Sequence, residues 1–87
     1  MELVIQKNAL AALSKVRPKA ARAIRNRLKS IAVDPFAKHT NVERLKGVKD
    51  GFRLRHGSLR VLYRLDRNAG RMIVEVVATR GEAYRIR

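Results

Sequence analysis

Residues 52–66 have the sequence FRLRHGSLRVLYRLD, in which apolar and basic side chains alternate on both sides of a central Gly-Ser pair. Alternation with a period of two is typical of a strand with one buried face, and a two-residue loop containing Gly is typical of a tight hairpin. Such a loop pairs His56 with Leu59 and Arg55 with Arg60. The segment therefore predicts an antiparallel hairpin whose register is set by its turn.

The register of this hairpin predicts two faces of different chemistry. The core face carries the apolar side chains Phe52, Leu54, Val61 and Tyr63. The opposite face carries the arginines Arg53, Arg55, Arg60 and Arg64. Directly opposed arginines such as Arg55 and Arg60 repel each other, so a face that accepts this cost is expected to meet an anion. The alternative is that both side chains splay into water.

A third antiparallel strand is predicted after the hairpin. Residues 67–70 form a turn signal, and residues 72–79 are nearly all apolar, which indicates a central strand covered on both faces. The face taken by Arg80 depends on the turn between these strands. An even loop places Arg80 on the face opposite to the arginines, whereas an odd loop or a bulge brings it round to them.

The region before the hairpin predicts a short strand and then a first helix. Residues 3–5 are the β-formers Leu, Val and Ile. Asn8 is the expected N-cap of the helix, which runs to about Val16 with Leu10 and Leu13 facing inward.

A second helix is expected to begin near Pro18, which fits a first helical turn, and to end at Asp34-Pro35. Its apolar residues recur at helical spacing and form one stripe: Ala21, Ile24, Leu28 and Ile31. A basic stripe repeats the same spacing on another side: Arg22, Arg25 and Lys29.

The predicted order of elements is β-α-α-β-β-β, with residues 36–51 as a polar connection between the second helix and the hairpin. This order predicts the α+β class, in which a helical hairpin packs on a small, mostly antiparallel sheet. The length of 87 residues and the hydrophobic content of 46% favour one globular domain over residues 1–87.

The charge balance is the strongest compositional signal, because 21 Lys and Arg residues against 7 Asp and Glu leave a net charge of +14. Such a surplus indicates a polyanionic partner. Nucleic acid is favoured over a membrane surface because Trp is absent and Arg outnumbers Lys by fourteen to seven. A solvated basic surface without a partner is the alternative.

The absence of Cys excludes disulfides, thiol nucleophiles and thiolate metal sites. Residues 1–3 show no signal-peptide pattern, so a cytoplasmic location is expected.

Four short motifs, in order along the chain, resemble those of the RelE/ParE superfamily of bacterial toxins: Leu45-Lys46-Gly47, residues 52–55, residues 59–63 and residues 80–84. The resemblance covers essentially the whole chain. It implies the toxin of a toxin–antitoxin pair, with an acidic antitoxin protein as its partner. In the RelE branch it also implies an endoribonuclease that enters the ribosomal A site and cleaves mRNA there without a metal or cofactor.

Attack of a ribose 2′-hydroxyl on the adjacent phosphate needs a base, charge stabilisation and help for the leaving oxygen. By resemblance, Arg60 matches the phosphate-clamping arginine of the family, Arg80 matches a second active-site arginine, and Tyr84 matches a tyrosine suited to stacking or proton transfer. Arg53 and Arg55 stand where the best-known RelE has lysines.

Arginine cannot lose its proton at neutral pH, so Arg53 and Arg55 are expected to bind phosphate but not to act as a base. Glu43 matches the glutamate proposed as the base in YoeB-type toxins, although a solvated loop glutamate is the alternative. His39 and His56 are further candidate proton carriers. The basic helix stripe and Arg64 are expected to contact RNA phosphates.

Two other functions are open on the sequence. A ParE-like toxin would bind DNA gyrase and do no chemistry of its own, and a plain RNA-binding module would have no toxin activity. The short first helix of about eight residues, together with Arg60, Arg80 and Tyr84, favours the endoribonuclease.

Overall fold

A computed structural model of the chain describes residues 1–79, which form two helices and a five-stranded sheet. The elements in chain order are β1 (Glu2–Ile5), α1 (Lys7–Ser14), α2 (Pro18–Val33), β2 (Val42–Arg44), β3 (Gly51–His56), β4 (Leu59–Asp66) and β5 (Arg71–Thr79). The strand order across the sheet is β1-β5-β4-β3-β2. β1 runs parallel to β5, and the other neighbours are antiparallel. The predicted α+β class is confirmed.

The hairpin of β3 and β4 has the predicted register, with His56 opposite Leu59 and Arg55 opposite Arg60. Gly57 adopts a φ of +59°, a left-handed conformation that glycine reaches without steric cost. On the helix side of the sheet, Tyr63 is fully buried and its ring stacks on Phe52, with 5.4 Å between the centroids. The alternation of side chains therefore directs one face of the hairpin into the core.

The second helix agrees with its predicted bounds and faces. Pro18 is its first residue, and Asp34 follows its last turn. Its apolar stripe packs against the sheet, because Ile24, Leu28 and Ile31 are fully buried and Ala21 lies against them. The basic stripe of Arg22, Arg25 and Lys29 is exposed. Neither helix among residues 1–79 is long and apolar enough to cross a membrane.

The first helix differs from the prediction at both ends. Asn8 lies inside the helix rather than at its N-cap, and its side-chain amide donates to the carbonyl of Glu75 in β5 at 3.0 Å. The helix ends at Ser14 rather than near Val16. Leu10 is 44% exposed, so the prediction that it faces inward is wrong. Ala9 and Leu13, four residues apart, share the buried side instead, since residues at this spacing lie on one helical face.

The polar connection predicted for residues 36–51 contains a strand that the prediction missed. β2 pairs antiparallel with β3, and Glu43 lies opposite Arg53. Three residues are too few to show a period-two pattern, so this strand depends on the neighbouring edge of β3 for its hydrogen bonds. After β2 the chain turns tightly back, and a Cβ on Gly51 would come within 2.6 Å of the Val48 side chain.

β5 lies between β1 and β4, as expected of an interior strand. The helices cover one of its faces, and no helix among residues 1–79 provides the predicted second cover. A bulge explains its nearly continuous apolar sequence. Tyr63 pairs with Val74 but Leu62 pairs with Val76, so Glu75 is an extra residue that shifts the alternation. As a result Val74 and Val77 both face the core.

Candidate functional site

The sheet face turned away from the helices collects five of the predicted site residues. Register places the following side chains together on the adjoining strands β2, β3 and β4: Glu43, Arg53, Arg55, Arg60 and Arg64. Residues directly opposite each other on antiparallel strands lie about 4.5–5.5 Å apart at Cα. We call this surface the arginine face. Leu62 was not predicted as a site residue, but it lies opposite Arg53 and is almost fully buried.

Glu43 is a strand residue rather than a loop residue, and it forms an ion pair across the strands. Its Oε2 accepts a hydrogen bond from Nη2 of Arg53 at 2.6 Å. The Glu43 side chain remains mostly exposed, whereas Arg53 is largely shielded. The carboxylate is therefore oriented by a guanidinium and open to solvent, at the edge of a surface rich in positive charge.

The opposed pair Arg55 and Arg60 is accommodated by two separate sets of hydrogen bonds. Nη2 of Arg55 approaches the side-chain oxygen of Asn41 at 3.4 Å. Nη1 of Arg60 donates to the carbonyl oxygens of Gly57 and Leu59, each at 3.0 Å. Arg55 is exposed, but Arg60 is only 8% exposed. The alternative in which both side chains splay into water therefore does not describe Arg60.

Neither member of this pair forms an ion pair with a carboxylate among residues 1–79. The bonds of Arg60 to its own hairpin use Nη1, and its Nε and Nη2 make no hydrogen bond to the described residues. Backbone carbonyls orient a guanidinium but do not neutralise it. The centre of the arginine face consequently carries two adjacent positive charges whose counter-charge is not supplied by the described fold.

Arg64 has a different environment at the other end of β4. Its Nε lies 3.6 Å from Oε2 of Glu75, the residue inserted by the bulge in β5. Four residues along a strand separate Arg64 from Arg60, a distance of about 13 Å. Arg64 is thus partly neutralised and lies away from the centre of the arginine face.

The remaining predicted residues are spread over other parts of the molecule. The basic stripe of α2 lies in the helix layer, so the sheet separates it from the arginine face. His56 lies on the core face of β3 by its position in the alternation. His39 donates from Nε2 to the carbonyl of Asp34 at 2.7 Å. Arg80 and Tyr84 lie outside the described residues. Ala78, opposite Arg60, is the last residue of β5 on the arginine face whose side chain is described.

One charged cluster was not predicted from the sequence. Asp50 is only 5% exposed, and its two oxygens accept hydrogen bonds from Nε and Nη2 of Arg67 at 2.9 and 3.1 Å. This contact with Arg67 holds the pKa of Asp50 below its ordinary value of 3.8. The backbone carbonyl of Asp50 also accepts from Leu65. The cluster joins the β2–β3 turn to the β4–β5 turn and so supports the end of the hairpin.

Comparisons with known proteins agree with this fold. The family model described as the ParE toxin of type II toxin–antitoxin systems matches residues 3–84. No curated protein sequence matches the chain.

Three solved structures illustrate the similarity of fold. The isolated Escherichia coli RelE toxin has a TM-score of 0.78 at 19% identity, covering 98% of this chain and 92% of that chain. The archaeal RelE–RelB complex from Pyrococcus horikoshii has a TM-score of 0.78 at 22% identity, covering 92% of this chain and 94% of that chain. A YoeB/ParE toxin from Agrobacterium tumefaciens has a TM-score of 0.75 at 20% identity, covering 91% of this chain and 98% of that chain.

Proposed function

The chain belongs to the ParE toxin family of type II toxin–antitoxin systems, within the RelE/ParE superfamily, and we propose that it arrests translation by cleaving mRNA on the ribosome. In this proposal the substrate is mRNA in the ribosomal A site, ribosomal RNA contributes to binding, and an acidic antitoxin restrains the toxin until it is released.

The arginine face is the observation that carries this proposal. Attack of a 2′-hydroxyl on a phosphodiester builds negative charge on the phosphate oxygens, and preorganised cationic donors stabilise that charge. Arg55 and Arg60 face each other across β3 and β4 with no carboxylate partner among residues 1–79. A phosphate bound by the exposed Arg55 guanidinium would lie beside Arg60 and would offset the repulsion between the two positive charges.

Glu43 is the proposed base that accepts the 2′-hydroxyl proton. It is the one carboxylate that β2 and β3 bring onto the arginine face beside Arg53. Arg53 cannot accept a proton, and in this arrangement it orients the carboxylate. Arg80 and Tyr84, which match the family motif, are proposed to complete the site through charge stabilisation and through stacking or proton transfer to the leaving oxygen.

Inhibition of DNA gyrase is the second candidate, because the family model that matches is that of ParE toxins. Two features favour the nuclease. The first helix is only eight residues long, whereas a longer helical hairpin is expected for a gyrase-directed toxin. The arginine face also offers charge stabilisation that a purely binding toxin would not need.

The test compares mRNA cleavage and gyrase inhibition with the same purified protein. Translating ribosomes should yield toxin-dependent cuts within codons, and free mRNA should remain intact. Arg55→Gln should slow cleavage by roughly 10²–10³, as expected for removal of one charge-stabilising donor. Arg55 is a cleaner probe than Arg60, whose loss would also remove two hairpin hydrogen bonds. Intact mRNA combined with inhibited DNA supercoiling would instead establish the gyrase function.

A further inference from the structure

A groove of about 350 Å³ opens beside the edge strand β2, on the side of the sheet that carries the helices. Two phenylalanines line it, and each has a guanidinium against its ring. The Cζ atom of Arg67 lies 4.3 Å from the centroid of Phe36, and that of Arg44 lies 5.7 Å from the centroid of Phe52. None of these four residues belongs to the arginine face.

Phe36 is the accessible member of the two pairs. It lies just after α2, and 51% of its surface is exposed although its ring is held against Arg67. Lys38, two residues further on, also lines the groove and is exposed. The groove thus combines an open aromatic ring with positive charge, and no Asp or Glu is among its lining residues.

The hydrogen bonds of Arg67 restrict what this guanidinium can recognise. Its Nε and Nη2 both donate to Asp50, so its hydrogen-bonding fork is already occupied. One flat face of the guanidinium lies over the Phe36 ring, a stacking that guanidinium groups share with aromatic rings. The Arg67 side chain is 59% exposed, which leaves this stacked pair open to a further planar group. A planar group suits this surface better than a carboxylate does, because a carboxylate would have to compete with Asp50.

We propose that this groove binds one unpaired RNA nucleotide, with its base stacked on the Phe36–Arg67 pair and its phosphate near Lys38. The inference rests on the proposed function only for the choice of RNA as the polymer. Stacking of bases on aromatic residues flanked by cations is a sequence-tolerant mode of single-strand binding. The groove would give the toxin a hold on RNA on the opposite side of the sheet from the arginine face.

The test measures binding of fluorescently labelled single strands by anisotropy, without ribosomes. One probe is a six-nucleotide oligoadenylate, and the other is an abasic strand of the same length and charge. Phe36→Leu keeps an apolar side chain but removes the ring. It should weaken oligoadenylate binding about 5- to 100-fold and leave abasic binding unchanged. Val33→Ala, at a site that is 85% exposed and does not line the groove, should change neither.

Salt dependence separates stacking from charge. Phe36→Leu should leave unchanged the slope of the logarithm of the binding constant against the logarithm of the salt concentration. Lys38→Gln should reduce the magnitude of this slope by about 0.7, the value for one phosphate contact on a single strand. Thermal melts should show all three variants folded. Because no cleavage is measured, a chain that proved not to be a nuclease could still meet these expectations.

Three outcomes would overturn the proposal. Phe36→Leu could leave oligoadenylate binding unaltered, or it could weaken the binding of the oligoadenylate and of the abasic strand equally. Either result would mean that no base is stacked there. It could also leave the binding of both probes unchanged while weakening the binding of a glutamate-rich helical peptide. The groove would then be a protein-docking site.

Discussion

Each arginine on the arginine face has its own immediate surroundings, and these determine what its side chain can do. Arg53 is bound to Glu43 and therefore orients a carboxylate. Arg60 is tied to carbonyls of its own hairpin, which holds its guanidinium in place without neutralising it. Arg55 is exposed, and within residues 1–79 its guanidinium has only a long contact with Asn41. We propose that positioning and charge stabilisation are divided among these neighbouring side chains of one residue type.

Glu43→Gln tests the proposed base. The amide keeps the size of the side chain but cannot take the 2′-hydroxyl proton, so single-turnover cleavage on ribosomes should fall by roughly 10²–10⁴ with little change in ribosome affinity. Glu2→Gln is the matched control, because Glu2 also forms an ion pair across strands, with Arg71, but at the far edge of the sheet. A loss below threefold for Glu43→Gln would assign proton transfer to another group.

Asp50→Asn tests the buried cluster through the pH dependence of stability. Asparagine tolerates the left-handed conformation that Asp50 adopts, with a φ of +54°, so the change removes charge rather than imposing strain. The pKa of Asp50 is lowered in the folded state, so its contribution to stability is complete well above 3.8. That contribution is lost as pH falls below 3.8 through the folded pKa.

The expected result is a lower melting temperature for Asp50→Asn at pH 7, with the difference from the unaltered protein shrinking below about pH 4. Thermal melts followed by circular dichroism at several pH values measure it. Asp66→Asn is a control, because Asp66 caps the adjacent turn through its contact with the amide of Ala69 and is not part of the cluster. A difference that stays constant from pH 7 to pH 3 would contradict the role assigned to the Asp50 charge.

Elements decide which charges share a surface. The short strand β2 carries Glu43 to Arg53, and the bulge in β5 brings Ala78 opposite Arg60. Helix α2 carries its basic stripe on the other side of the sheet. Residues 1–79 therefore present one basic surface on a helix and another on strands, and we propose a different step for each.

Charge reversal on α2 tests this division. Replacing Arg22, Arg25 and Lys29 with Glu should weaken ribosome binding and reduce its dependence on salt, because each lost phosphate contact lowers the log–log slope by something near one. Single-turnover cleavage at saturating ribosomes should barely change. Substituting Arg53 and Arg55 should have the opposite pattern, with slow cleavage and modest effects on binding, since a residue that orients the base and one that stabilises the transition state both act mainly on the rate. Equal losses of affinity from both sets, with an unchanged rate, would identify a binder rather than an enzyme.

The whole molecule carries a net charge of +14 that the described fold does little to offset. Ion pairs within residues 1–79 engage the carboxylates of Glu2, Glu43, Asp50 and Glu75. Within the described residues, these few contacts leave most Lys and Arg side chains in both layers without an acidic partner. An acidic antitoxin that covers part of this charge is the partner we propose.

Association with such an antitoxin should be electrostatically steered. The association rate constant is expected to fall by at least about tenfold between roughly 50 and 500 mM salt, because the Debye length shortens over this range. The dissociation rate should change much less, since apolar contacts hold the complex once it has formed. Stopped-flow mixing of the purified proteins measures both rates. A flat association rate would contradict steering and weaken the antitoxin assignment.

Local patterns were enough to predict the hairpin, the second helix and the α+β class. The Gly57-Ser58 turn and the alternation around it determine the register of β3 with β4. Both depend only on neighbouring residues, so they can be read from the sequence. This register also predicts, from the sequence alone, that Arg53, Arg55, Arg60 and Arg64 share one face. The roles of these residues, and those of Arg80 and Tyr84, stay predictions.

Tertiary structure alone decided the features that depend on residues far apart in the chain. β2 is a strand because β3 offers it an edge, and only that pairing brings Glu43 to Arg53. The bulge at Glu75 and the contact of Asp50 with Arg67 are likewise invisible in local periodicity. Short strands, bulges and ion pairs gain their stability from packing between elements, whereas turns and alternation are set by the conformational preferences of adjacent residues.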